Sequence, residues 1–225
     1  MDLSVIKRVG YKIVRFGERF DASTALTLAG DRDLEWSWVI AHAPTNSKRV
    51  LDFGPGNSTT PIALSFICDE VVALDLNIPE IPYGVKNIRH VLGDITSPPS
   101  GLGQFDLIIN CSTIEHVGLP GRYGSTEVTD GDLLGMKNLL GMLSQGGKMV
   151  MTIPVGIDGV YLPNHRVYGQ NRLPKLIDGF EIRTERYFEK TESKRFWAET
   201  TKDQALSTPS SISFYSIGLF VLEKK

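Results

Sequence analysis

The chain has 225 residues, 41% of them hydrophobic and 22% charged, with a net charge of -2. This composition excludes a disordered chain, leaves room for one α/β domain with a sizeable core, and gives no electrostatic basis for a nucleic-acid partner. The two cysteines, Cys68 and Cys111, sit in apolar stretches without metal-ligand spacing, so they read as reduced core thiols of a cytoplasmic protein and no metal site is expected.

Residues 1–20 place Val5, Val9, Ile13, Phe16 and Phe20 at helical spacing beside a basic stripe of Arg8, Lys12, Arg15 and Arg19. The pattern fits a cap helix with a solvated basic side; an anionic membrane surface is the alternative resting place. No apolar run reaches membrane-spanning length, and the N-terminus lacks the apolar core of a signal peptide. Residues 31–43 read as a second helix, with Leu34, Trp38 and Ile40–Ala41 near a 3.6 period and Pro44 ending it. Trp36 and Trp38 fit core or lid positions.

Strands are then expected over Arg49–Gly54, Glu70–Asp75, Asn87–Leu92, Phe105–Cys111 and Lys148–Pro154. Between the first two, Thr60-Pro61 reads as a helix N-cap followed by proline at the first helical position. Asp132–Ser144 reads as a helix ending in the turn Gln145-Gly146-Gly147. The connectors 76–86 and 95–104 are rich in Pro and Gly, so helices there should be short or absent. Continuous apolar strands alternating with helices or connectors argue for a mostly parallel sheet covered on both faces. Phe180–Phe188 and Ser211–Leu222 suit a closing antiparallel pair, and the polar stretch 190–210 a surface insertion.

The strand over Val50–Phe53 runs into Gly54-Pro55-Gly56-Asn57, a turn that presents backbone N–H groups to a nucleotide-like ligand. Acids or amides fall at the carboxyl ends of the following strands, at Asp75, Asp94 and Asn110. In an open parallel sheet the ligand crevice lies at those ends. Asp75 is placed to accept from ribose hydroxyls and Asp94 from an exocyclic amine such as that of adenine. Ile95 would lie against the ring face, and Asn110 would border the reacting centre. A dinucleotide turn continues to a third glycine that lets helix and strand pack beside a pyrophosphate; here that position is Thr59.

The ordered set Asp52-Phe53-Gly54-Pro55-Gly56, Asp75, Gly93-Asp94, Phe105-Asp106-Leu107-Ile108 and Gln145-Gly146-Gly147-Lys148 resembles the class I S-adenosylmethionine-dependent methyltransferases over residues 49–154. The resemblance implies a Rossmann-like α/β fold, a seven-stranded mostly parallel sheet with a terminal antiparallel pair. It implies S-adenosylmethionine as methyl donor and S-adenosylhomocysteine as product, and carries donor contacts over to Gly54, Gly56, Asp75 and Asp94, within an expected donor-binding set that also includes Asp52, Asn57, Leu76, Ile95 and Asn110. Within one domain, residues 1–45 would form a helical cap, 46–154 the donor-binding core, and 155–225 the acceptor loop and closing strands. The downstream segments Ser112–Gly118, Gly121-Arg122-Tyr123-Gly124 and Asn164-His165-Arg166-Val167-Tyr168-Gly169 resemble a bacterial branch linked to surface-polysaccharide or sugar modification. That resemblance implies O-methylation of a small polar acceptor such as a sugar or nucleotide-sugar.

A hydroxyl acceptor must lose its proton, which a histidine poised near neutrality can take. His165 is the first candidate and His116 the second, with Glu115 orienting the site. Arg122 and Arg166 suit an anionic acceptor, because arginine binds phosphate or carboxylate bidentately. Tyr123, Tyr161 and Tyr168 suit stacking on a sugar ring. Asp130, Asp132 and His116 could converge on Mg²⁺, but their spacing specifies no metal site. A dinucleotide-dependent oxidoreductase or epimerase and a non-catalytic donor-binding partner protein are the alternatives. The oligomeric state stays open, a homodimer included.

Overall fold

The apolar runs pair side by side. In the computed structural model, which describes residues 30–78, 84–121, 123–190 and 196–225, α1 (Asp31–His42) precedes β1 (Arg49–Phe53), α2 (Thr60–Ser65), β2 (Glu70–Asp75), β3 (Ile88–Leu92) and β4 (Phe105–Cys111). A one-turn 3₁₀ segment (Ile114–His116) follows, then α3 (Gly131–Met142), β5 (Leu143–Val155), β6 (Gly159–Tyr161), β7 (His165–Val167) and α4 (Leu173–Leu176). The chain closes with β8 (Phe180–Lys190), β9 (Trp197–Thr200), α5 (Lys202–Ser207) and β10 (Ser216–Lys224). The basic segment 1–20 and Arg122 lie outside the described residues.

The main sheet has the order β3-β2-β1-β4-β5-β10-β8-β9. The first five strands are parallel neighbours. β10 runs antiparallel to both β5 and β8, which is the expected closing pair. Successive strand residues face opposite sides, and both sides are covered. Leu51, Phe53, Val72, Leu74, Ile108 and Met151 pack with Met136 and Leu139 of α3. Val50, Val71, Ala73, Leu107, Ile109 and Val150 pack with Leu34, Trp38 and Val39 of α1 and Leu64 of α2. This double burial is why the strands read as unbroken apolar runs rather than alternating ones.

Three expectations need correction. The sheet has eight strands rather than seven, because part of the polar 190–210 stretch folds: β9 pairs with β8, burying Trp197, and α5 buries Ala205 and Leu206. Thr60 is not the N-cap of α2; that position is Thr59, and the Thr60 hydroxyl donates to Asp52 Oδ2 at 2.6 Å. The turn Gln145-Gly146-Gly147 lies inside β5 as an irregularity, where pairing with β4 jumps from Phe105–Leu143 to Leu107–Lys148. The small β6–β7 hairpin was not anticipated. Among the described residues, no helix occupies the 76–86 or 95–104 connectors, and no helix is long and apolar enough to cross a membrane.

Candidate functional site

β1 delivers the chain to Gly54 and Gly56, whose φ angles of 65° and 55° lie in the left-handed region that glycine enters at no steric cost. A Cβ on Gly54 would lie 2.1 Å from Thr113 Cγ2, so the turn packs tightly on the loop after β4. From the end of β2, the Asp75 carboxylate accepts from the Gly56 N–H at 3.0 Å and the Asn77 N–H at 2.9 Å. It therefore ties the glycine turn to the neighbouring strand. Asp94 Oδ1 accepts from the N–H and hydroxyl of Thr96, both at 2.8 Å, which fixes the loop after β3.

These strand ends open on a cavity of about 600 Å³, a size suited to a small molecule. Asp52, Gly54, Gly56, Asn57, Asp75, Leu76, Asp94 and Ile95 all line it, as do His116 and Tyr123. Asn110 does not: its Oδ1 accepts from the Ile114 N–H at 3.2 Å and its Nδ2 lies 3.7 Å from Met136 Sδ. It braces the 3₁₀ segment from below instead of bordering a ligand. Asp52 is fully buried beneath the glycine turn, and burial pushes its carboxyl up to about 7 against the Thr60 hydroxyl, with Asp75 adding to the rise. Among the described residues its Oδ1 has no hydrogen-bond partner.

The far end of the cavity is built by α1 and the loop after β4. Arg32 and Trp36, one turn apart on α1, both line it. Arg32 Nη1 donates to Glu35 Oε2 at 2.9 Å. Glu35 is buried, and its other oxygen accepts from Thr152 Oγ1 at 2.9 Å and from Ser112 Oγ. Burial raises the Glu35 carboxyl while Arg32 opposes that rise. Ser112 holds φ at 47°, a costly value for serine that its tie to Glu35 helps to maintain. Arg32 escaped the sequence reading; its i,i+4 spacing to Trp36 was the available signal.

His116 follows in the 3₁₀ segment. Its Nδ1 contacts the Asn164 carbonyl, and since a carbonyl only accepts, Nδ1 carries the proton and Nε2 the lone pair. Glu115 Oε1 lies 3.7 Å from that Nε2. The Tyr123 ring meets the His116 ring edge-on at 5.1 Å. His165 does not line the cavity: it is buried behind His116, its ring 6.4 Å away, with Tyr215 at 5.2 Å and Tyr161 at 5.9 Å.

Arg166 and Tyr168 also turn inward, against the expectation that they face an acceptor. Arg166 Nη1 donates to the carbonyls of Val117 at 2.6 Å and Glu115 at 3.4 Å. The Tyr168 hydroxyl donates to Asp132 at 3.2 Å. β7 packs on the 3₁₀ segment and β5, and Arg166 and Tyr168 reach Asp132 of α3, so these side chains satisfy buried carbonyls and a buried carboxylate instead of reaching solvent. Asp132, held by Arg172, belongs to that network, and among the described residues no cluster of acids, histidines and cysteines is arranged to hold a metal.

Burial pushes Glu115 up to about 8, with the Glu35 carboxylate adding to the rise. A folded-state pKa above the unfolded value means that the folded protein keeps the proton longer, so stability falls as pH rises from about 4.5 to about 8. Glu115→Gln is neutral throughout and should show a smaller loss of Tm across that window, worth about 2–4 °C for each kcal/mol spared. Thermal melts at a series of pH values check this; parallel declines in both proteins would exclude Glu115 as a source.

Sequence comparison matches residues 100–214, slightly more than half the chain, to a family described as Caenorhabditis protein of unknown function, DUF268. No curated protein matches the chain in sequence. Among solved structures it resembles the N-methyltransferase NodS from Bradyrhizobium japonicum WM9 in complex with S-adenosyl-L-homocysteine, at 13% identity over 90% of this chain and 91% of that one, with a TM-score of 0.56. It resembles Burkholderia thailandensis 1,6-didemethyltoxoflavin-N1-methyltransferase at 13% identity, over 99% and 88% of the two chains, with a TM-score of 0.56. The YcgJ protein of Bacillus subtilis gives 14% identity, 86% and 98% coverage, and a TM-score of 0.57. At such identities the shared property is the fold, and it is the Rossmann-like fold expected from the sequence.

Proposed function

The chain belongs to the DUF268 family, and we propose that it is an S-adenosylmethionine-dependent methyltransferase that O-methylates a small polar acceptor such as a sugar or nucleotide-sugar. The observation that carries the donor assignment is the charge of the cavity. Asp75 and Asp94 line it, with the partly protonated Asp52 buried beneath the turn, against Arg32 as the one lysine or arginine among its described lining residues. Around the glycine turn and the neighbouring strand ends, a lining of that sign favours a cationic sulfonium and disfavours a dinucleotide's pyrophosphate at that turn. Thr59 in place of a third glycine supports the same choice.

The residues present fit the donor. Gly54 and Gly56 keep the turn open at its backbone, and Asp75 retains lone pairs for ribose hydroxyls beyond its two backbone bonds. Asp94 and Ile95 suit the amine and face of adenine, and the buried Asp52 oxygen suits the donor's ammonium group. S-adenosylmethionine, when bound, supplies a methyl group already activated by its positive sulfur. The protein's own contribution is to hold the acceptor in line, keep water out and remove the acceptor's proton. His116 Nε2 takes that proton, with Nδ1–H anchored on the Asn164 carbonyl. In this reading residues 1–45 cap the site, 46–154 form the donor-binding core, and 155–225 supply the acceptor side. The free thiols of Cys68 and Cys111 support a cytoplasmic setting.

Calorimetric titration with S-adenosylhomocysteine tests the donor assignment. The wild type is expected to bind. Asp75→Ala should bind about ten- to a hundred-fold more weakly, the equivalent of one hydrogen bond to a charged group. Undiminished binding by that variant would remove the basis of the assignment.

A further inference from the structure

With Arg166 turned into the protein, an acceptor bearing negative charge needs another partner. Arg32 is the one lysine or arginine among the described residues that line the cavity, and its side chain is half exposed there. Only Nη1 of its guanidinium has a protein partner among the described residues, the carboxylate of Glu35. The remaining N–H groups keep the fork geometry that matches an oxyanion. Glu35 is itself fixed by Thr152 and Ser112, so the guanidinium stands on a buried carboxylate instead of swinging free.

Position separates Arg32 from the donor end. Arg32 is tied to Glu35 by its one ion pair among the described residues, whereas Asp75 is tied to the Gly56 N–H of the glycine turn and to the Asn77 N–H after β2. Ser112, which bonds the carboxylate under Arg32, leads through Thr113 and Glu115 to His116. Arg32 on α1 and His116 after β4 both line the cavity, while the carboxylates of Asp75, at the end of β2, and Asp94, after β3, belong to strands on the opposite side of β1 from β4.

We propose that Arg32 is the specificity-determining residue for the acceptor, binding a phosphate or carboxylate on that molecule and so presenting its reacting hydroxyl to His116. This rests on the methyltransferase reading and adds to it the anionic class of the acceptor. The charge pattern enforces orientation: an anionic group is attracted at Arg32 and repelled by Asp75 and Asp94, so only one end of the acceptor enters toward α1.

The test uses the wild-type protein saturated with S-adenosylhomocysteine and titrated with inorganic phosphate or acetate as probes for the acceptor's oxyanion. Binding is read by calorimetry and by the shift in Tm. Phosphate is expected to bind the wild type, and Arg32→Gln should weaken it about ten- to a hundred-fold while leaving S-adenosylhomocysteine affinity unchanged. Arg32→Lys keeps the counter-charge of Glu35 and hence the fold, and it should lose part of the anion affinity with the planar fork. Anion binding that is absent in the wild type, or unaltered in both variants, overturns the proposal. A fall in S-adenosylhomocysteine affinity in Arg32→Gln, with phosphate binding kept, assigns Arg32 to the donor's own carboxylate and also overturns it. Failure of the wild type to bind S-adenosylhomocysteine at all is a separate result, which defeats the methyltransferase reading itself.

Discussion

Asp132→Ala is expected to lower stability by about 3–5 kcal/mol, because it strands a buried arginine without its counter-charge. Asp132 is fully buried at the start of α3. It accepts from Tyr168 Oη at 3.2 Å, from Arg172 Nε at 2.9 Å and from Arg172 Nη2 at 2.6 Å, and it lies 3.5 Å from Arg166 Nε. Arg166 is itself only 5% exposed and cannot recruit water in exchange. For a domain of this length the loss corresponds to a fall in Tm of about 10 °C. Asp130→Ala is the control, since Asp130 bonds the same Arg172 at 2.8 Å but is largely exposed; a surface pair of that kind contributes little. Similar melting temperatures for the two variants would show that the buried network is not what holds α3 to the 165–172 segment. The consequence reaches the cavity, because Arg166 also holds the carbonyls of Glu115 and Val117 on either side of His116.

That network marks where sequence reading stops. The strands were legible because Val71–Leu74 and Leu107–Ile109 are apolar without interruption and Val50–Phe53 is broken only by Asp52, as strands buried on both faces allow. Asp75 was legible because it closes such a run and Asp94 because it follows a strand with Gly93, and strand ends in a parallel sheet face the crevice. The segment Asn164–Gly169 offers no comparable rule. Its histidine, arginine and tyrosine carry the same chemistry whether they face a ligand or a buried carboxylate, and the carboxylate that decides the matter is on α3, distant in sequence. Asn110 misleads for a related reason: it stands one residue from the end of β4, much as Asp75 closes β2, yet the next segment turns back over it and takes its side chain as a brace. Arg32 was hidden in the opposite way. A charged residue in the first turn of a surface helix is ordinary, and its meaning depends on the depth of Glu35 one turn on.

His116→Ala is expected to lower kcat by about 10²–10⁴-fold, the range for losing a general base, with S-adenosylhomocysteine affinity unchanged. Three features separate His116 from His165, the candidate that the sequence favoured. His116 lines the cavity and His165 does not. The Nδ1 contact with the Asn164 carbonyl fixes one tautomer, leaving the Nε2 lone pair as the basic site. Glu115 Oε1 lies 3.7 Å from Nε2, and once ionised, above a pKa that burial pushes up to about 8, its carboxylate faces the imidazolium formed when the acceptor's proton has moved. His165 is packed among Tyr161, Tyr215 and His116, so His165→Ala should loosen the wall behind the base and reduce kcat far less. The decisive measurement is turnover against pH. The wild-type rate should rise through the histidine titration range, and that limb should vanish in His116→Ala while persisting in His165→Ala. Full turnover by His116→Ala at neutral pH would rule out histidine as the base at this site. Loss of the limb in His165→Ala alone would return the role to the buried ring.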